Sequence, residues 1–479
     1  MNKKQLTEII KSGIKFEPTK DQLACIDKLS EFLLNGSVNS VFLLKGYAGT
    51  GKTTLVSVLV NILPMLGASS VLLAPTGRAA KVIAGYSGRQ ASTIHRKIYR
   101  LEKGQKGMVR FQLLANNHTD TFFIVDEGSM VSDGNSSKDN QVFSSRNLLD
   151  DLTGFVYGGN NCRLIIVGDS AQLPPVGMNE SPAMNEDYLK FTYNLDIWSY
   201  ELKDVVRQEA TSGILHNATL VRNKLAAPDP TGYIKFELQG YGDIFRIQGQ
   251  DAVEKINEIF SHRDFINTTV LCRSNKKANL YNQFIRNRVL FYEDEIAAGD
   301  LLLAVKNNYY WLPEDSQASF IANGDILIVN RVKRVEEFYG FRFATITCRL
   351  VDYTYLPEID LIVILDTLHS PGPSLTMEEL SKLFDAVLAD YADEPSKKKQ
   401  YDLVKSNPYF NALQVKFAYA ITCHKAQGGQ WQNVFVDSGF FPDNTPDFEY
   451  YRWLYTAYTR ATKKLFLMGF PDPFFLEQK

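Results

Sequence analysis

The stretch GYAGTGKTT, residues 46–54, constrains the fold more than any other part of the chain. It fits G-x-x-x-x-G-K-[ST], with Gly46 and Gly51 as the glycines, then Lys52 and Thr53. Such a loop works only where a buried strand turns sharply into a helix, because its backbone N–H groups must converge on phosphate oxygens. Both flanks comply: VFLL (41–44) precedes it and the helical pattern TLVSVLVNIL (54–63) follows. The chain is thereby directed to an α/β class with a parallel sheet. The expected nucleotide cradle is Gly46, Ala48, Gly49, Thr50, Gly51, Lys52, Thr53 and Thr54, with Lys52 reaching the β- and γ-phosphates and Thr53 holding Mg²⁺.

Three further apolar runs, SVLLA (70–74), TFFIVD (121–126) and RLIIVGD (163–169), read as buried parallel strands because their hydrophobicity is continuous, not alternating. A second group, TVLCR (269–273), NVFVD (433–437) and KLFLMG (464–469), predicts another such sheet, split by a long interruption. From 299 to 366 that interruption is β-rich and predicts a small antiparallel barrel or sandwich; from 367 to 411 it is helical and charged, with a capping box at Thr376 and Glu379. The domains are therefore drawn as 1–205, a discontinuous 206–298 with 412–479, and insertions 299–366 and 367–411. The polar piece 132–147 reads as a mobile surface loop.

The net charge of −2 over 479 residues does not advertise a nucleic-acid binder, but phosphate contacts depend on a local groove, not on the total. Five scattered cysteines without a CxxC pair suggest neither a disulfide framework nor a zinc ribbon. With no run of 18 or more apolar residues, the chain reads as soluble, unexported and at home in a reducing cytoplasm, with no membrane partner.

Asp126 and Glu127 close the strand TFFIV: Asp126 would hold Mg²⁺ through water, and Glu127 would orient and deprotonate an attacking water. Two carboxylates at a strand end alone would more often be a solvated turn; beside the phosphate loop they point to hydrolysis. No N-K-x-D base-reading motif is found, which disfavours a GTPase. Gln22 carries two readings that are compatible: a capping box with Thr19, and an amide that offers a donor and an acceptor to adenine.

The phosphate loop is followed in order by APTGRAAK (74–81), STIH (92–95), DEGSM (126–130), GDSAQLPPVG (168–177), VVRQ (205–208), TCHKAQG (422–428) and YTAYTRA (455–461). This ordered series resembles the superfamily 1 helicases, and most of all their B branch of RecD-like, Pif-type and phage Dda-like DNA helicases. The resemblance implies two RecA-like domains with ATP between them, Gln172 sensing the γ-phosphate, and Arg207 and Arg460 as arginine fingers. It implies DNA contacts from Thr76, Ser92, Thr93 and His95 in the first domain and from Thr422, His424 and Lys425 in the second. A pin hairpin is implied at about 99–118, where Phe111 is either a strand-separating wedge or a packing residue. The insertions resemble the family's small barrel and its Dda-type helical tower. The activity implied is an ATP-dependent DNA helicase acting as a monomer, translocating 5′-to-3′ on single-stranded DNA and opening duplex or forked DNA. A translocase that strips proteins from DNA is the alternative, and a DNA-independent phosphotransferase is the rival from another class.

AITCHKAQGGQ (420–430) suggests a metal cluster or a Cys/His nucleophile when taken alone, but no second Cys/His group lies near it in sequence. Cys423 is expected to be a packed residue, with Thr422, His424 and Lys425 facing DNA and Gln427 and Gly428 facing the nucleotide cleft.

Overall fold

The computed structural model describes residues 1–103, 109–134, 147–204, 212–261, 265–313, 320–353, 356–440 and 445–475, with only the backbone of 101–103 and 109–111. The reading of 132–147 as a loop falls mostly outside these residues, as does Arg207.

In the first third of the chain, strands β1 (Ser40–Gly46), β2 (Ser69–Ala74) and β3 (Ala91–Thr93) precede a two-stranded hairpin of β4 (Tyr99–Lys103) and β5 (Val109–Leu113), and β6 (Thr121–Val125), β7 (Arg163–Gly168) and β8 (Asp196–Leu202) follow. Six of these form one parallel sheet in the order β3-β2-β6-β7-β1-β8. Its central strands are buried along their length, so apolar side chains point to both faces and pack helices on each. The helix Lys20–Asn35 covers one face, and its start is fixed by the expected box, with Thr19 and Gln22 exchanging hydrogen bonds of 3.0 and 3.1 Å. The hairpin stands where a pin is expected, with Leu101 opposite Phe111.

The second part begins with β9 (Ile244–Ile247) and β10 (Thr268–Cys272). The chain then leaves to build a closed barrel from β11 (Leu301–Ala304), β12 (Ile326–Phe338), β13 (Phe341–Leu350), β14 (Ile359–Ile364) and β15 (Leu413–Phe417). It returns as β16 (Ala420–Thr422), β17 (Trp431–Asp437) and β18 (Ala461–Met468), which with β9 and β10 form a parallel sheet in the order β16-β10-β17-β18-β9. The barrel thus closes with a strand from beyond residue 411, in the segment that sequence texture assigns to the second sheet. Barrel membership is decided by pairing: β15 lies antiparallel to β11 and parallel to β14.

Between β14 and β15 the charged helices Met377–Ala389 and Lys397–Ser406 pack Leu383, Val387 and Val404 against Phe341, Phe343 and Ile364 of the barrel. The capping box at Thr376 and Glu379 is present. Among the described residues no helix is long and apolar enough to cross a membrane.

Candidate nucleotide site and interdomain joint

The phosphate loop leaves β1 at Gly46 and enters the helix Lys52–Ile62 through two left-handed glycines, Gly49 at φ 77° and Gly51 at φ 88°. A side chain at Gly46 would press on Thr50 Oγ1 at 2.9 Å and on Leu202 at 3.0 Å, so the loop is narrowest where a glycine is needed. Lys52 Nζ donates to the carbonyls of Gly46 (2.7 Å) and Tyr47 (2.8 Å), and Thr50 Oγ1 donates to Tyr47 O (2.8 Å). Thr53 is exposed in the first turn of the helix, with Thr54 beside it. Gln22 is buried and its amide nitrogen donates to Thr50 O at 2.9 Å. Both ends of that amide are therefore engaged by the protein, which makes Gln22 a brace behind the phosphate loop.

Asp126 directly follows β6, with its N–H on Leu73 O (2.9 Å). Its Oδ1 accepts from the Glu127 N–H (2.9 Å) and its Oδ2 from the Tyr86 hydroxyl (2.6 Å). Glu127 sits at φ 52°, in the left-handed region that a non-glycine residue occupies only when its surroundings hold it there. Burial raises its carboxyl above the usual range, Arg460 opposes that shift, and Asp126 adds to it. Asp169, one residue beyond β7, is buried and likewise raised by burial.

From the second part of the chain, the helix Phe448–Tyr458 is buried on almost every side and docks on these loops. The Tyr455 hydroxyl donates to Asp169 Oδ2 (2.7 Å) and accepts from the Ala48 N–H (2.9 Å). Thr456 Oγ1 accepts from Leu173 N (2.8 Å), and the Arg452 guanidinium donates to the carbonyls of Gln172 and Asn179. Arg460, 3% exposed, is aimed by Thr456 O (3.1 Å), Gly429 O (3.4 Å) and Thr459 Oγ1 (3.0 Å), and places Nη1 3.8 Å from Glu127 Oε1. Gln172 is 6% exposed, and its Oε1 has no hydrogen-bond partner among the described residues. Lys52, Asp126, Glu127, Gln172 and Arg460 are thus gathered on the facing edges of the two sheets. Tyr86, Asp169 and Tyr455 join them although they were not singled out from sequence; Asp169 and Tyr455 lie inside quoted motifs, whereas Tyr86 carries no motif signal.

Residues 422–431 form a joint between the two parts. Gln427 Nε2 donates across to Leu173 O at 2.7 Å. Gly428 instead lies against the start of the helix Gly77–Ser87: a side chain there would meet Ala79 Cβ at 2.8 Å and Thr76 Oγ1 at 3.1 Å. Arg78 of the same helix stacks 3.8 Å from the Trp431 ring centre. Thr76 caps that helix through Ala79 N, and Thr93 caps the helix Ile94–Ile98 through Arg96 N. Ser92 and His95 flank Thr93, and burial lowers the His95 imidazole to about 4. Thr422 makes no side-chain cap bond, His424 is exposed, and Lys425 Nζ donates to Asn323 Oδ1 (2.5 Å) while burial lowers its ammonium to about 8. Cys423 is a packed thiol on Trp453 O, pushed up to about 12 by burial, and is unsuited to nucleophilic work. The Phe111 side chain lies outside the described residues.

Comparison with known proteins places these parts. A family model described as an AAA domain matches residues 33–229, and one described as a UvrD-like helicase C-terminal domain matches 417–468. The ATP-dependent DNA helicase dda of Enterobacteria phage T4 is 24% identical over 82% of this chain and 86% of its own. The ATP-dependent RecD2 DNA helicase of Deinococcus radiodurans is 32% identical over 33% of this chain and 18% of its own. A Pif1 helicase from Bacteroides, solved with ADP-AlF3 and ssDNA, is similar with a TM-score of 0.45 and 14% identity over 94% of each chain. With a match to an AAA domain over 33–229, a match to a UvrD-like helicase C-terminal domain over 417–468 and phosphate-loop and arginine residues meeting between two parallel sheets, the chain is built as a superfamily 1 helicase and is similar to the Dda and RecD2 DNA helicases.

Proposed function

We propose that this ATP-dependent DNA helicase translocates 5′-to-3′ along single-stranded DNA as a monomer and separates the duplex ahead of it. The observation that carries the reading is the joint at 422–431. It grips Leu173 next to Gln172 on one side and rests on Thr76 and Ala79 on the other, so any relative movement of the two sheets is transmitted to both.

The residues at the cleft fit a magnesium nucleotide. Lys52 lies on two loop carbonyls that a phosphate can replace, Gln172 Oε1 is buried without a partner among the described residues, and hydroxyl and carboxylate oxygens are what Mg²⁺ prefers. Thr53 and Asp126 would hold the ion, which when bound neutralises charge on the β- and γ-phosphates. Glu127 orients the attacking water and takes its proton. Lys52 and Arg460 stabilise the charge that spreads over the transferred phosphoryl oxygens. Closure of the cleft brings Arg460 to that charge, and opening releases it. Alternation between the two, with Thr76, Ser92, Thr93 and His95 on one sheet and Thr422, His424 and Lys425 on the other gripping the strand in turn, gives directional steps. Hydroxyls, imidazoles and a lysine suit phosphate and sugar contacts, so little sequence preference is expected. The five cysteines are free and buried, in keeping with work in a reducing cytoplasm.

Two measurements test this. ATP hydrolysis rises when single-stranded DNA is added, and a 5′-tailed duplex is opened where a 3′-tailed one is not; hydrolysis indifferent to DNA refutes the motor, and the opposite tail preference refutes the direction.

Lys425 supplies a pH signature. Its ammonium is charged below about 8 and neutral above, so single-stranded DNA affinity is expected to fall as pH rises through that value. The fall is roughly tenfold, the loss of one charge-assisted contact. In Lys425→Arg the dependence flattens, because guanidinium stays charged throughout. Fluorescence anisotropy of a labelled oligonucleotide reads both.

A further inference from the structure

The helix Gly77–Ser87 has partners of different kinds at its two ends. Its first turn carries the joint. A side chain at Gly77 would meet the Tyr353 hydroxyl and Asp325 Oδ1 of the barrel region, Arg78 stacks on Trp431 and donates to Gln430 O (3.3 Å), and a side chain at Gly428 would meet Ala79 Cβ. Its last turn carries Tyr86, whose hydroxyl donates to Asp126 Oδ2 at 2.6 Å. Tyr86 O accepts from Ser57 Oγ (3.1 Å) on the phosphate-loop helix, whose first turn carries Thr53. One residue therefore touches one side chain assigned to magnesium, Asp126, and the helix that presents the other, Thr53. The rise per residue puts it about 14 Å along the axis from Gly77.

The ring of Tyr86 packs on the apolar core of the first sheet, a task any large apolar side chain would perform. Its hydroxyl is a separate device. The Glu127 N–H already fixes Asp126 Oδ1, so the phenol supplies the second donor and leaves the carboxylate a single orientation.

We propose that Tyr86 is a positioning residue that sets the magnesium-holding geometry of Asp126, and that the helix Gly77–Ser87 makes this geometry respond to the DNA strand at its Thr76 end. The second half rests on the DNA reading above.

The test uses the full chain, a fluorescent and slowly hydrolysed ATP analogue, Mg²⁺ titrations and a single-stranded oligonucleotide. Tyr86→Phe keeps the ring and removes the hydroxyl. It is expected to raise the Mg²⁺ concentration for half-maximal analogue binding roughly tenfold, the usual size for a lost outer-shell donor. Analogue binding in EDTA and the thermal midpoint stay as in the unmodified protein. In the unmodified protein the oligonucleotide lowers the half-saturating Mg²⁺; in Tyr86→Phe that shift disappears. An unchanged Mg²⁺ requirement in Tyr86→Phe overturns the positioning role. A DNA-induced shift that persists in Tyr86→Phe, or is absent from the unmodified protein, overturns the coupling. Failure of the DNA reading itself shows separately, as hydrolysis that single-stranded DNA does not stimulate.

Discussion

Glu127→Gln is expected to lower ATP turnover by roughly two to four orders of magnitude while nucleotide binding persists. The substitution keeps the shape of the side chain and its reach toward Arg460, and removes the negative charge together with the capacity to accept a proton. Three features support the proposal that Glu127 is the base. Its backbone is held in the left-handed region, its N–H is pinned by Asp126 Oδ1, and burial raises its carboxyl toward working pH, where a base transfers protons most efficiently. Because the folded-state value is raised, turnover should climb with pH as Glu127 ionises, and the acid limb of the pH–rate profile should lie above the usual carboxylate range. Phosphate release across pH, with analogue binding as the control, checks both. Wild-type turnover in Glu127→Gln would remove Glu127 from the chemistry.

Arg460→Ala is expected to cost about 10³- to 10⁵-fold in turnover, the range for an arginine that meets the transition-state phosphoryl group. Arg460→Lys should recover little of it. The side chain is held by a backbone carbonyl on each side and by Thr459 Oγ1, a fork geometry that a point-charge ammonium does not reproduce. The loss has two sources, because Arg460 also opposes the upward shift of Glu127. Removing it leaves the carboxyl more protonated at neutral pH, so the acid limb should move further toward alkaline pH in Arg460→Ala. A variant that loses turnover without moving that limb would show that the 3.8 Å approach to Glu127 has no consequence in solution.

The two sheets are legible in the sequence where the strands are buried on both faces, since β1, β6, β7 and β10 and the later halves of β2, β17 and β18 are continuous apolar runs. The margins are concealed. The strand β8, DIWSYEL, lies at an edge and is half-exposed for most of its length, and β3 and β16 have three residues each, too few to carry a pattern. The closing strand of the barrel was hidden because membership depends on a partner more than a hundred residues away, Leu302 for Phe417. At the site, ordered motifs pointed to the residues gathered at the cleft, but not to how they are braced. Gln22 shows its capping box locally, while its bond to Thr50 O spans 28 positions. Tyr86 meets Asp126 only because two strands and a helix fold together, and no spacing rule reaches over that distance.

The helix Phe448–Tyr458 carries Arg452, Tyr455 and Thr456 on one rigid rod, with Arg460 two residues past its end. Each of these meets a different point of the first sheet's loops: Asn179, Asp169, Leu173 and the proposed base Glu127. Contacts mounted on one rod are expected to make and break together, so that the interface would act as a single catch. Weakening any one contact should shift the balance between held and released, and its effect on the motor would be seen in stepping rate and strand grip at once.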